Sequence, residues 1–273
     1  MLGSPEYGFG LEIKDQWMDS ILTYVLEGSE DPKAAIIPVA RYGVGFDPAV
    51  GPRYDVTLFY NGNNSAPKIF NDFQGGKLPA SRGTNMSQLT MGIFSKLVLP
   101  AFQEGGESHG LHQRFHVVST AATKEAMQIV HDTYFDGVIS FGLTNLTDFF
   151  TGLAWNSITT QFIAASNSGQ GCPQGIDEEA VFWVEESLSW GDAADTAVIE
   201  TFVQTVNANI TAQLEALKLS RPYIYLNDAD PDQPVFEGYP AANVQRLKQI
   251  RNKYDPLMTF TNQMPGGFKV AKA

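Results

Sequence analysis

Between residues 192 and 217 one apolar stripe runs without a break. Val198, Phe202, Val206, Ile210, Leu214 and Leu217 recur every three or four positions. That period belongs to a helix, and a stripe this long needs a broad apolar surface to cover it. Asp192 or Asp195 stands where a side-chain oxygen can cap the first turn. The rest of the chain offers a sheet as the cover. Segments at 6–13, 34–42, 54–61, 113–120, 158–165, 180–189 and 222–228 read as strands by alternation or by β-branched and aromatic content. Helical patterns at 15–28, 87–98, 122–136 and 241–254 lie between and after them. The last carries Val244, Leu247, Ile250 and Tyr254 on one side, and Asp255-Pro256 stops it, since proline disfavours a helical conformation in the residue before it. Strands and helices do not alternate strictly. The predicted fold is therefore α+β: a single mostly antiparallel sheet of about seven strands with helices packed on one face, in one domain over 1–273.

Composition narrows the class. With 273 residues, 43% hydrophobic and 18% charged, the chain can bury a sizeable core. A formal charge of −12 repels nucleic acid and anionic membranes. No apolar run approaches the ~20 residues of a membrane span. No basic start followed by an apolar stretch marks a signal peptide, so the expected location is cytoplasmic. Cys172 is the one cysteine, which excludes intramolecular disulfides and a cysteine-based zinc site. The glycosylation acceptors at Asn63, Asn85, Asn145 and Asn209 read as chance in such a chain. Loops at 61–84 and 166–178, rich in Gly, Asn and Ser, read as internal to a domain.

Strand alternation assigns faces. Phe182, Val184 and Leu188 oppose Trp183, Glu185 and Ser187. Ile224 and Leu226 oppose Tyr223, Tyr225 and Asn227; Arg114 and His116 oppose Phe115 and Val117. The aliphatic set is expected beneath the helices. The Trp, Tyr, Arg, His and Asn set is expected on the other face, where it could bind a flat, partly polar organic molecule. The plainer alternative is a half-solvated sheet face that binds nothing.

Short motifs add little chemistry. Gly106-Glu107-Ser108-His109-Gly110 matches the G-x-S-x-G elbow, but a helix precedes it and a strand follows, the reverse of what that motif needs. His109, His112 and His116 cluster without the spacing of a zinc helix or a placed carboxylate. His116 is a reasonable proton donor or acceptor, since an unperturbed imidazole titrates near neutrality. Gly43-Val44-Gly45-Phe46-Asp47-Pro48 lacks the third glycine and the following helix of a dinucleotide cradle.

The C-terminal stretch is more specific. It runs Tyr225-Leu-Asn-Asp-Ala-Asp-Pro, Tyr239-Pro-Ala-Ala-Asn243-Val-Gln-Arg-Leu247, Lys253-Tyr-Asp-Pro256 and Pro265-Gly-Gly-Phe-Lys269. This resembles the C-terminus of the berberine-bridge-type FAD-linked oxidases, in their fungal secondary-metabolism branch, with the berberine-like segment at about 222–270. The resemblance implies a substrate-binding domain whose separate flavin-binding partner domain is missing here. It also implies that Tyr225, Asn227, Tyr239 and Asn243 approach an isoalloxazine ring. Pro240 replaces a usual glycine and Ala242 a common acid, which suggests a relaxed demand for flavin contact. Gln161 stands nearest the family's catalytic base position and cannot act as a base.

Three functions follow as expectations. The first is a flavin-free small-molecule enzyme, with no cofactor, that folds a substrate for cyclisation, including a Diels-Alder-type cycloaddition, or isomerisation. Its catalytic residues would be Tyr225, Arg114 and His116. Trp183, Glu185, Gln161, Tyr223, Asn227, Tyr239 and Asn243 would bind substrate. The second is an FAD-dependent oxidoreductase, as fragment or subunit. The third is a non-catalytic metabolite-binding protein, with a homodimer through the exposed sheet face as a possible assembly. The initial methionine and complete α+β pattern favour the first.

Overall fold

The computed structural model describes residues 2–9, 11–27, 31–43, 51–83, 86–168, 172–176, 179–264 and 266–273. Most of the Gly43–Pro48 stretch, Asn85, Pro265 and parts of the 166–178 loop lie outside these residues.

In chain order the elements are β1 (Leu2–Phe9), α1 (Lys14–Glu27), β2 (Ala34–Tyr42), β3 (Arg53–Tyr60), β4 (Ala80–Gly83), β5 (Ser87–Gln88), α2 (Met91–Val98), β6 (His112–Ala121), α3 (Lys124–Ser140), β7 (Phe150–Ile158), α4 (Thr160–Asn167), β8 (Val181–Trp190), α5 (Thr196–Ala216), α6 (Ala241–Tyr254) and α7 (Thr259–Gln263). The strands form one antiparallel sheet in the order β4-β1-β3-β2-β7-β8-β6, and the two-residue β5 also pairs with β1. Six of them are long and two are short, so the expected α+β architecture with about seven strands holds.

The stripe on α5 does what its period requires. Ile199, Phe202, Val203, Val206, Ile210 and Leu214 are buried, and only Leu217, past the helix end, stays exposed. Asp192 caps the single 3-10 turn that leads into the helix, its carboxylate accepting from the Ala194 amide at 2.9 Å. Helices α1, α3 and α5 cover one face of the sheet and enclose the main core with Trp17, Tyr134, Trp155 and Phe182. Gly137 on α3 permits the close approach to α5, since a Cβ there would lie 2.6 Å from Val206. One chain of paired polar groups runs through this core. The Tyr54 hydroxyl meets His131 Nε2 at 3.0 Å, and His131 Nδ1 meets Asp132 at 2.7 Å.

A second, smaller core lies on the other side of the sheet. It joins Ile158, Val181 and Trp183 from the strands to Ile163 of α4, Val244 of α6, and Tyr223, Val235 and Tyr239. The helices are thus not confined to one face: α4 and α6 pack on the opposite one, at one end of the sheet.

Two predicted strands are corrected. The seventh segment, 222–228, is irregular backbone ending in a turn, held by aromatic packing and by its neighbours instead of by a ladder. The segment 158–165 holds only the last residue of β7. Thr159 then caps α4 by accepting from the Phe162 amide, so the chain turns helical where a strand was expected. Gln161 consequently sits exposed on a helix, not on a middle strand.

Candidate functional site

Register decides which side chains share a face, because directly paired residues of neighbouring strands point the same way. Glu185 pairs with Val117 on one side and with Ala154 on the other; Ala154 pairs with Val39, and Val39 with Asp55. The next row runs Phe115, Ser187, Gly152, Arg41 and Arg53. Both rows lie on the face away from α1, α3 and α5. Strands sit about 4.8 Å apart, so Asp55 and Glu185, three strands apart, stand roughly 14 Å from each other. Between them the floor is small: Val39, Gly152 and Ala154. Arg41 and Asp55 close one end as a tight pair, 2.6 Å from Nη2 to Oδ2, with Asp55 buried.

The other end is aromatic. Trp183 stacks on Tyr225 at 5.1 Å and 19°, and tilts against Tyr223 at 4.7 Å. Tyr223 in turn stacks on Tyr239 at 5.7 Å and 16°. The Asn227 amide donates to the Tyr225 hydroxyl at 2.8 Å. Trp183, Tyr223 and Tyr239 are buried, whereas Tyr225 is half-buried and Asn227 exposed. Asn243, in the first turn of α6, lies beside Gly175, whose positive φ and closeness to Pro240 leave no room for a side chain. Pro240 therefore packs a loop against the helix start.

Glu185 is the chemically distinctive group of this face. Burial raises its carboxyl to about 7, and the neighbouring Asp228 carboxylate adds repulsion. Asp228 is itself raised by burial. A carboxyl poised near neutrality beside an aromatic bed can take or give a proton at physiological pH.

Arg114 and His116 are not part of this arrangement. Arg114 pairs with Leu188 and His116 with Glu186, which places both on the helix-covered face. Alternation within each strand holds, but the register puts Arg114 and His116 in phase with Leu188 and Glu186, not with Trp183 and Glu185 as expected. Arg114 is held by three carboxylates, Asp230 at 2.5 Å, Glu200 at 3.6 Å and Asp232 at 3.7 Å. His116 is driven down to about 4, mainly by burial, with Asp230 opposing that shift and Arg114 adding to it. The three clustered histidines go separate ways: His109 meets the Phe102 carbonyl, His112 stacks on Trp190, and His116 faces Gln233.

The segment after α5 seals the free edge of β6. Ala121 donates to the Leu219 carbonyl and Arg221 to that of Ser119. Further along, the Gln233 side chain acts as a substitute strand. Its Oε1 accepts from the Val117 amide at 2.9 Å, and its Nε2 donates to the Val117 carbonyl at 2.8 Å. Asp230 is only 2% exposed, so removing its cation strands a buried charge. Arg114→Met is expected to cost about 3–5 kcal/mol, read as a lower urea midpoint.

Sequence reasoning passed over Arg41, Asp55, Asp228, Asp230, Gln233 and Glu186. For Glu186 a signal was present, a carboxylate in phase with Phe182, Val184 and Leu188.

Residues 224–265 match the family model described as berberine and berberine like. An FAD-dependent monooxygenase of Penicillium roqueforti is 26% identical over 264 residues, covering 89% of this chain and 47% of that protein. A bifunctional solanapyrone synthase of Alternaria solani is 27% identical over 113 residues, 41% of this chain and 22% of its own. Among solved structures, aclacinomycin oxidoreductase aligns with a TM-score of 0.58 at 12% identity, over 94% of this chain and 53% of its own. A berberine bridge enzyme variant aligns with a TM-score of 0.58 at 13% identity, over 93% and 52%. The fold is shared with about half of each of these two chains, and residues 224–265 carry the berberine-like segment. More particularly, the chain is similar to fungal FAD-dependent monooxygenases and to a solanapyrone synthase, and it spans about half the length of the monooxygenase it matches and less of the synthase. Among the described residues no helix is long and apolar enough to cross a membrane.

Proposed function

We propose that this chain is the substrate-holding half of an FAD-linked oxidoreductase of secondary metabolism. The observation that carries this is the grouping on the open sheet face of small residues at Val39, Gly152 and Ala154, the stacked Trp183 and Tyr225, and the near-neutral carboxyl of Glu185. A flat conjugated alcohol or phenol would lie over the small residues against the stacked rings, and Glu185 would take its hydroxyl proton. A flavin, when bound, would supply the capacity to accept a hydride. Of the positions the resemblance turns toward that ring, Tyr225 and Asn227 offer surface beside this grouping. Tyr239 is buried behind them as support. Two features support a covering half over this side. The relatives are about twice as long, and Met91, Ile93, Leu97, Leu99 and Phe102 leave an apolar flank exposed.

A second reading keeps this grouping without the flavin. Acid–base work by Glu185 on a folded, conjugated substrate needs no redox group, and would serve an isomerisation or cyclisation. Absorbance of the purified chain, recorded before and after excess FAD and desalting, separates the two. Retained flavin bands support the oxidoreductase. A colourless protein that still turns over a conjugated substrate overturns it in favour of the flavin-free catalyst.

A further inference from the structure

Behind the sheet, back to back with Glu185, a cleft of about 560 Å³ opens between the edge strand β6, the helix α5 and the segment 220–234. Its size falls within the range of small-molecule sites, roughly 300–1,000 Å³. Part of its wall is aliphatic, where Val203, Ala208 and Ala212 from α5 face Pro222 and Ile224, and the charged Glu215, Arg221 and Asp232 stand among the polar residues that complete the lining. Arg114 at its rim is held by Asp230, so that charge is already answered within the protein.

The polar groups at the cleft are more informative. Gln233 Oε1 accepts from the Val117 and Asp230 amides, which fixes the orientation of that side-chain amide. Its Nε2 therefore carries the hydrogens, one for the Val117 carbonyl and one for His116 Nε2 at 3.3 Å. A neutral His116 must then accept at Nε2 and bear its proton on Nδ1. That Nδ1 is buried and has no hydrogen-bond partner among the described residues. Asn207 is 6% exposed; its Nδ2 donates to Glu186 at 2.8 Å, and its Oδ1 likewise has no partner among them. His116 is the cross-strand neighbour of Glu186 and Asn207 reaches the same carboxyl from α5, so both orphaned atoms lie near one carboxyl, whose Oε1 also has no partner among the described residues. Both residues line the cleft. An unmade hydrogen bond on each buried group carries a penalty that an incoming ligand would remove.

We infer that this cleft is a second small-molecule site, built for a compact neutral ligand that carries an acceptor and a donor side by side, as a secondary lactam does. The ligand's carbonyl accepts from His116 Nδ1–H, its N–H donates to Asn207 Oδ1, and its ring methylenes meet Val203, Ala208 and Ile224. The site is independent of the grouping on the open face, since β6 and β8 separate them.

The probe is 2-pyrrolidinone, titrated into the full chain and followed by the NMR shifts of the Asn207 side-chain amide and the His116 ring. Saturable shifts of both are expected. Asn207→Ala could unfold the chain by stranding Glu186, so the control is Ala208→Leu. Ala208 lies on the exposed rim, where substitutions disturb stability little. Its larger side chain narrows the cleft and should weaken binding by about tenfold or more. Shifts that rise linearly without saturating, or that are unchanged in Ala208→Leu, would mean that water alone satisfies these atoms and would overturn the inference.

Discussion

The Glu186→Gln variant is expected to be more stable than the parent at pH 8 and close to it at pH 5. Glu186 is fully buried, and its carboxyl is pushed up to about 8 by burial, against the opposing hydrogen bond from Asn207. In the unfolded chain it titrates near 4.5. Between those values the folded state holds a proton that the unfolded state has released. Stability from this group is therefore fully present below about pH 4.5 and is lost as pH rises toward about 8. Each unit of difference corresponds to about 1.4 kcal/mol, so the loss across that window is on the order of a few kcal/mol. Glutamine has the shape of the protonated acid, can accept from Asn207 Nδ2, and does not ionise. Urea midpoints measured from pH 5 to pH 8 should fall for the parent and fall less for the variant, whose remaining slope comes from Glu185, raised to about 7. A parent curve flat over that range would show that Glu186 is ionised and stabilised by something other than Asn207.

The second large effect concerns Glu185, which faces the other way from the same strand. Glu185→Gln should reduce turnover of a conjugated hydroxylated substrate by roughly 10²–10⁴-fold, the usual contribution of a general acid or base. In the parent, base action should rise with pH through about 7 as the carboxyl ionises, and the variant should lose that limb. Trp183 lies on the same face two residues away, so its fluorescence reports on substrate binding apart from turnover. Binding retained with turnover lost places Glu185 in proton transfer. Turnover retained with an unchanged pH profile removes it from the chemistry, and Asp228 becomes the candidate.

The periodic elements were the legible ones. The α5 stripe and the alternation of β8 each carry many apolar residues in phase, and both formed where expected. β7 was obscured because its open-face positions are Gly152, Ala154 and Asn156, too small or polar to mark an alternation. The 222–228 segment has strand-like composition, yet its tyrosines serve stacking on Trp183 and on one another. Within the candidate site, Trp183 and Glu185 could be placed on one face from β8 alone. Arg114 and His116 could not be joined to that face or separated from it, because parity within a strand says nothing about register between strands. Asp55 and Arg41 come together with Glu185 only through β2 and β7, across more than a hundred residues of chain.

The amide of Gln233, laid against Val117, has a consequence for how the molecule keeps to itself. A sheet margin is ordinarily guarded by charge, by proline or by a bulge. Here part of the guard is one neutral side chain carried on a segment that ordinary fraying could lift. While it is down, β6 has no spare valence at that point. Once it is up, the margin offers donors and acceptors at strand spacing to any extended chain, including its own counterpart in another molecule. The seating of this one side chain is therefore part of what keeps the margin of β6 closed.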